Sequence, residues 1–374
     1  MDKKQKLLRN NAFQTVLASL ICIAIGLLIG YIVLLIINPA GAGKAIVAIM
    51  KNFFYYPNAA AATKYFGTTL IKASALLMCA LSVLFAYKAG LFNIGAAGQY
   101  VVGAGGCLYM ALKFEMPWYV CLLAGVIVAA IVGGISGALK AYLNVNEVIS
   151  CIMLNWISLY GVNMLLTTVK DTSTPYTKLL FNFNQKAMLP KLGLDQLFHN
   201  KYMTIGVPLA ILMAILVWVI LSKTKFGYEL KATGSNKQAA KYCGMKEKYN
   251  IILTMVIAGA LAGLGASFYY LTGVEQWAVT QTSVPGMGFN GIAAAFLGGL
   301  HPIGAIFSSY FIQHITSGGA YVDKSMYCSQ ISDFISALII YLCGFVFFFK
   351  LWMNHMLDKR DEKRAVKEEK GGEA

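Results

Sequence analysis

Aspartate, glutamate, lysine and arginine are missing from long stretches of this 374-residue sequence. No charge falls between Phe13 and Ile37, Ala89 and Leu112, Pro117 and Leu139, Val148 and Val169, Tyr202 and Ser222, or Tyr249 and Val274. The longest such run, Gln276 to Val322, is 47 residues. Two further runs, Tyr65 to Tyr87 and Ile331 to Phe349, hold one charge each, Lys72 and Asp333. A hydrocarbon core of about 30 Å takes roughly 20 helical residues, so each run can cross a bilayer and the longest can cross twice. With 13% of residues charged and 58% hydrophobic, no soluble domain of useful size is left. The runs are continuously apolar rather than alternating, which favours helices over a β-barrel. The 36 glycines fit helices whose backbones pack closely in a membrane.

Other absences narrow the function. The eight cysteines (Cys22, Cys79, Cys107, Cys121, Cys151, Cys243, Cys328 and Cys343) show no CxxC spacing, so they read as small core-filling residues. No metal site is expected. No GxxxxGK[ST] loop is present to cradle nucleotide phosphates, so ATP hydrolysis is not expected of this chain. Paired carboxylates, a His/Asp/Glu cluster and a nucleophile–base pair are also missing, which argues against an integral membrane enzyme. The first apolar run is too long for a signal-peptide core and is read as an uncleaved span. A net charge of +15 would suit nucleic acid, but the basic residues cluster just outside the spans. That is the pattern of membrane orientation and contact with anionic lipid.

Orientation follows from where the lysines sit. Lys3, Lys4, Lys6 and Arg9 precede the first span and place the N-terminus in the cytoplasm. Segment 223–249 carries seven lysines against Glu229 and Glu247 and is expected on the same side. The tail 354–374, with six basic and six acidic residues, reads as a charged cytoplasmic tail. Two cytoplasmic termini require an even number of crossings, which splitting the longest run near His301-Pro302 supplies. The expectation is therefore an all-α fold: one polytopic transmembrane bundle over 1–353 with about ten spans. Segment 170–201 must then be external, although its five lysines pull against that placement.

Ten spans can be two sets of five, the second inverted relative to the first. Phe92-Asn93-Ile94-Gly95-Ala96-Ala97 follows the second span, and Phe289-Asn290-Gly291-Ile292-Ala293-Ala294 occupies the corresponding place in the second half. Paired, Gly-interrupted segments point to a solute path near the midplane, because a broken helix exposes backbone groups to a cavity. Asn93, Gly95, Gly98, Gln99, Asn155 and Asn290 are the candidate path residues; the plainer reading of the polar ones is glue between helices. In the basic segment 223–249, Asn236 is placed to cap a helix over 237–248 that Gly244 ends or breaks. Such a helix, joined to two spans, can act as a lever, with a solvated orienting loop as the alternative. Glu147 opens a span and fits the interface. Lys72 is expected near the outer end of its span, and His301 and His314 fit turn or packing roles.

Four ordered motifs carry a family resemblance. Gly90-Leu91-Phe92-Asn93-Ile94-Gly95-Ala96-Ala97-Gly98-Gln99 resembles the GLFNIGxEGQ signature of bacterial ABC permeases for nucleosides and simple sugars. Asn146-Glu147-Val148-Ile149 with Met153-Leu154-Asn155 is similar to that family's NEVI…MLN stretch. Gly227-Tyr228-Glu229-Leu230-Lys231-Ala232-Thr233-Gly234-Ser235-Asn236, continuing through Ala239-Ala240 to Gly244-Met245, resembles its cytoplasmic loop. Gly288-Phe289-Asn290-Gly291-Ile292-Ala293, with Leu297-Gly298-Gly299 and His301-Pro302, is similar to its GFxGIAVALLG…P segment.

The resemblance implies the permease subunit of an ABC importer in the bacterial plasma membrane, moving a small polar solute, most readily a nucleoside. A ribose-like sugar permease is the alternative, and a self-sufficient secondary transporter a weaker one, since no carboxylate lies well inside a span. It also implies an ATP-binding subunit holding ATP and Mg, a second permease subunit and an extracellular substrate-binding lipoprotein. Gly234, Asn236, Ala239, Ala240 and Gly244 would then form the coupling element gripped by the ATPase. One residue departs from the family, which usually has Glu where this chain has Ala97.

Overall fold

The chain folds as a bundle of α-helices in a computed structural model that describes residues 11–328 and 330–371. The basic residues Lys3, Lys4, Lys6 and Arg9 lie outside the described residues. Among these, the helices are α1 (Asn11–Ile37), α2 (Ala42–Lys51), α3 (Ala59–Lys88), α4 (Ala96–Lys113), α5 (Trp118–Leu143), α6 (Glu147–Thr167) and α7 (Gly206–Lys223). There follow α8 (Lys225–Ser235), α9 (Lys237–Tyr242), α10 (Glu247–Tyr270), α11 (Gly286–Leu297), α12 (Pro302–Gly318), α13 (Ile331–Cys343) and α14 (Val346–Gly371). One-turn helices interrupt the long α6–α7 connection, and the only β pairing among the described residues is two isolated bridges.

Among the described residues, six helices are long and apolar enough to cross a membrane: Leu17–Ile37 within α1, and α3, α5, α6, α7 and α10. The other four crossing segments expected from charge spacing are the helices α4, α11, α12 and α13. Contacts sort the chain's turns into two groups. Segments 88–95, 140–147, 223–250 and 298–301 gather at one end: Lys140 pairs with Glu147 at 2.8 Å, and Lys248 lies 5.2 Å from the Tyr142 ring. The N-terminal half of α1 points to this end, since Ser19 donates to the Leu297 carbonyl at 2.9 Å. The other end gathers segments 38–68, 111–117, 168–205, 271–281 and 319–327. There Asn200 donates to the Lys64 carbonyl at 2.9 Å, and Asn184 to the Ala111 carbonyl at 2.9 Å. Between these ends the described chain passes ten times. Helix α14 runs through the charged segment as far as Gly371.

The centre of the bundle is α3, α4 and α10. Helix α3 is buried along most of its length, whereas α1 and α7 turn most of their surface outward. Apolar burial cannot drive this arrangement in lipid, so close packing must. Small residues make that packing possible where α5 meets α10. A β-carbon on Gly263 would lie 2.6 Å from the Ala129 β-carbon and 2.6 Å from the Gly125 carbonyl oxygen. Lys72 lies about one turn beyond Thr68, whose hydroxyl accepts from Asn200 at 2.9 Å at the second end.

At the second end the long α6–α7 connection is built rather than loose. Thr177 donates its N–H to the Trp277 carbonyl at 2.9 Å, and the Trp277 indole donates to Asn163 of α6 at 2.8 Å. Lys178 lies 4.3 Å from the Phe183 ring centroid, and Lys201 lies 5.1 Å from that of Phe181. With Lys191, 6.0 Å from the Phe181 ring, three of the five lysines in this segment lie over aromatic rings. His314 serves packing, as expected: its Nε2 is 2.9 Å from the Met50 carbonyl oxygen, tying α2 to α12.

The α5–α10 contact sets a stability test. Gly263→Val is expected to cost about 1–3 kcal/mol, as overpacking of a tight site does, read as a lower melting temperature in detergent. Gly43→Ala, where an added β-carbon meets nothing within 4 Å, is expected to leave melting unchanged. Equal melting of both variants would contradict the packing described.

Candidate coupling and translocation site

The break between α3 and α4 is where most candidate residues meet. The chain leaves α3 at Lys88, turns through Gly90 at φ +73°, a left-handed conformation that favours glycine, and folds back into the bundle before α4 begins at Ala96. Asn93 and Gln99 are almost fully buried, at 0% and 1% exposure. They bond each other at 2.9 Å, and Asn93 also donates to Ser82 of α3 at 3.1 Å. Asn155, on α6, accepts from the Gly98 N–H at 2.8 Å and donates to the Ile94 carbonyl at 3.2 Å. A β-carbon on Gly98 would lie 2.7 Å from the Asn155 Cα, and one on Gly95 would lie 2.8 Å from the Cys151 Sγ. The structure therefore brings Asn93, Gly95, Gly98, Gln99 and Asn155 together, with their polar atoms turned on one another and on the bend.

The sixth path candidate stands apart. Asn290 is half-buried near the start of α11, with no hydrogen bond to its side chain among the described residues. Helix α11 has only 12 residues, about 18 Å of rise, so it begins inside the bundle rather than at its end. Its first turn crosses that of α4, where Gly288 packs directly on the Ala97 backbone. The two interrupted helices thus touch at their N-termini. Ala97 has 0% exposure, and the contact leaves no space for the larger carboxylate side chain usual at that position.

The basic segment is more ordered than its sequence indicates. Thr224 caps α8, its hydroxyl accepting from the Gly227 N–H at 3.1 Å. Asn236 caps α9 as expected, accepting from the Ala239 N–H at 3.0 Å. Helix α9 ends at Tyr242 rather than near Lys248, and Gly244, one residue past the Cys243 C-cap, is left-handed at φ +79° and stops the helix. Helix α8 went unread in the sequence. Ala240 is buried at 3%, whereas Asn236, Ala239 and Gly244 are exposed and Tyr242 is 91% exposed.

Two contacts anchor this segment. A β-carbon on Gly234 would lie 2.6 Å from the Ala89 carbonyl carbon and 2.7 Å from the Gly90 nitrogen, so α8 ends against the backbone of the bend. One residue earlier, the Thr233 hydroxyl accepts from Asn250 of α10 at 3.2 Å, both side chains buried. His301, in the α11–α12 turn at the same end, caps α12 by accepting from the Ile303 N–H at 3.3 Å. Burial and the nearby Lys88 lower its pKa, favouring the neutral ring that such acceptance requires.

One face beside the bend is uncovered. Met153, Trp156, Ile157, Tyr160 and Met164 of α6 are 42–77% exposed. Trp156 and Tyr160 stack at 6.0 Å. At the far end of this face, Asn163 donates to the Gln281 carbonyl at 2.8 Å, in the non-helical stretch that leads into α11.

Comparison with known proteins places this arrangement. Residues 65–344 match the family described as branched-chain amino acid transport system / permease component. The chain is 32% identical over 329 residues to the guanosine ABC transporter permease protein NupP of Bacillus subtilis, covering 87% of this chain and 91% of NupP. It is 32% identical over 357 residues to the nucleoside ABC transporter permease protein NupB of Lactococcus lactis, covering 92% and 94%. A glucose ABC transporter permease protein, TsgB13 of Haloferax volcanii, is 28% identical over 329 residues, covering 83% and 85%. No solved structure matches the chain.

The Ala97–Gly288 contact yields a direct test. Ala97→Glu would bury a carboxylate with no described partner and force α11 off α4, at a cost on the order of 3–5 kcal/mol. The expected result is a much lower folded yield and melting temperature in detergent. A variant as stable as the parent would show that the two N-termini do not touch.

Proposed function

From the premise that the chain belongs to the branched-chain amino acid transport system / permease component family, we propose that it is half of the solute route in an ATP-driven nucleoside importer. One observation carries the mechanism: α8–α9 is fixed by backbone contact to the α3–α4 bend and by the Thr233–Asn250 bond to α10. An ATP-binding subunit that grips α8–α9, holding ATP and Mg itself, would move both at once. This reading sets that end of the bundle in the cytoplasm, together with both termini, as the seven lysines of 223–249 favour. Segment 170–201 is then external and faces a substrate-binding lipoprotein.

The solute would pass along the uncovered face of α6 and the start of α11, with Asn290 as the candidate contact. A second permease subunit covers the same face, since Trp156, Ile157, Tyr160 and Met164 form an apolar surface and the route needs a second wall. Asn93, Gln99 and Asn155 shape that route by holding the bend rather than by touching solute.

The relatives named for guanosine and nucleosides support the substrate, each aligned over about nine-tenths of its length. The relative named for glucose favours a simple-sugar permease as the second reading. Uptake of labelled guanosine and glucose in a deletion strain, with and without the restored gene, separates them. Restored guanosine uptake is expected, restored glucose uptake alone would select the sugar reading, and restoration of neither would defeat both. Gly234→Leu is expected to abolish uptake while the protein still inserts in the membrane. Full uptake by that variant would remove the coupling role of the segment.

A further inference from the structure

Helix α4 starts inside the bundle on a residue that cannot cap it. The N-cap position is Gly95, which has no side chain, so the first-turn N–H groups must find partners elsewhere. The Gly98 N–H, three residues beyond that cap, is the group a capping side chain would normally accept from. It donates instead to Asn155, which comes from another helix and also holds the Ile94 carbonyl of the bend. Asn155 is 3% exposed and has no room to swing, because Gly98 packs against its own Cα.

We propose that Asn155 is a positioning residue that caps α4 in trans and fuses the α3–α4 bend to α6, so that motion of the α8–α9 segment reaches the solute-facing side of α6. The route has two joints. Gly234 bears on Ala89 and Gly90 through backbone, with no flexible side chain between them. From the bend, the Asn155 bonds and the Gly95–Cys151 contact lead into α6, whose next residue, Trp156, opens the uncovered face. Backbone contacts and a two-point amide clamp transmit displacement, whereas long side chains would absorb it by changing rotamer. Cutting the clamp therefore separates ATP turnover from solute movement while leaving the grip of the ATPase on α8–α9 in place.

The inference rests on the permease reading, which ATP-driven guanosine uptake by the wild-type complex in vesicles tests by itself. In that complex, Asn155→Ala is expected to keep at least half the wild-type ATP turnover while guanosine transported per ATP falls tenfold or more. An unchanged ratio would overturn the proposal. So would loss of ATP turnover together with transport, which would assign Asn155 to folding or assembly. A second variant needs no substrate. In Gly95→Cys the new β-carbon would lie 2.8 Å from the Cys151 Sγ and 3.2 Å from its β-carbon, so a shift of a few tenths of an ångström brings the two thiols to disulfide geometry. If bend and α6 move as one body, the cross-link forms equally in nucleotide-free and ATP-vanadate-trapped complexes. A tenfold drop in cross-link yield on trapping would show that they part during the cycle and would overturn the proposal.

Discussion

A helix that begins inside a bilayer leaves its first N–H groups with no water to bond, and each one left unpaired costs several kcal/mol. Most of the candidate site follows from that constraint at α4. Its first turn is served by Asn155 from α6, and the bend before it is held by Asn93, Gln99 and Ser82. Because these partners come from α3, α4 and α6, satisfying the backbone also locks three helices together. The same need makes Gly98 necessary, since a β-carbon there would lie 2.7 Å from the Asn155 Cα and displace the cap.

The constraint also orders the rest of the bundle. Where α11 begins, the chain arrives by a non-helical stretch whose Gln281 carbonyl is taken by Asn163, and whose Trp277 bonds both Asn163 and the α6–α7 connection. Helix α6 thus supports the start of both interrupted helices, α4 through Asn155 and α11 through Asn163. It does so with its buried side, leaving the opposite side uncovered for the proposed route and the proposed second subunit. Near its end, α8 meets the bend and α10 at adjacent residues, Gly234 and Thr233, so a push on the basic segment has little slack.

Much of this was legible in the sequence, for physical reasons that differ from element to element. Bilayer thickness is imposed on every span, so charge spacing, with the parity of the termini for the division at His301-Pro302, located the ten segments that pass between the two ends. The Asn236 cap was legible because capping is local chemistry. Helix α8 was not: Lys225–Ser235 is nearly neutral in hydrophobicity, holds two glycines and gains its order from contact with the bend and α10. The role of Asn93, Gln99 and Asn155 was hidden for another reason. A polar residue in a span is equally consistent with a wet path and a buried bond, and only the positions of Ser82, Ile94 and Gly98 show which bonds these side chains make. Ala97 gained meaning only from Gly288, nearly two hundred residues away in sequence.

The central claim is mechanical: the basic segment and α6 behave as one body joined through the bend. Spin labels at Tyr242 on α9 and Thr167 in the last turn of α6, both exposed and beyond the Trp156–Met164 surface, allow the distance between them to be measured in the assembled complex without nucleotide and in the ATP-trapped state. The account predicts one distance distribution common to both states, while the distance from either label to a third on α1 changes. A Tyr242–Thr167 distance that shifts between the states would contradict it.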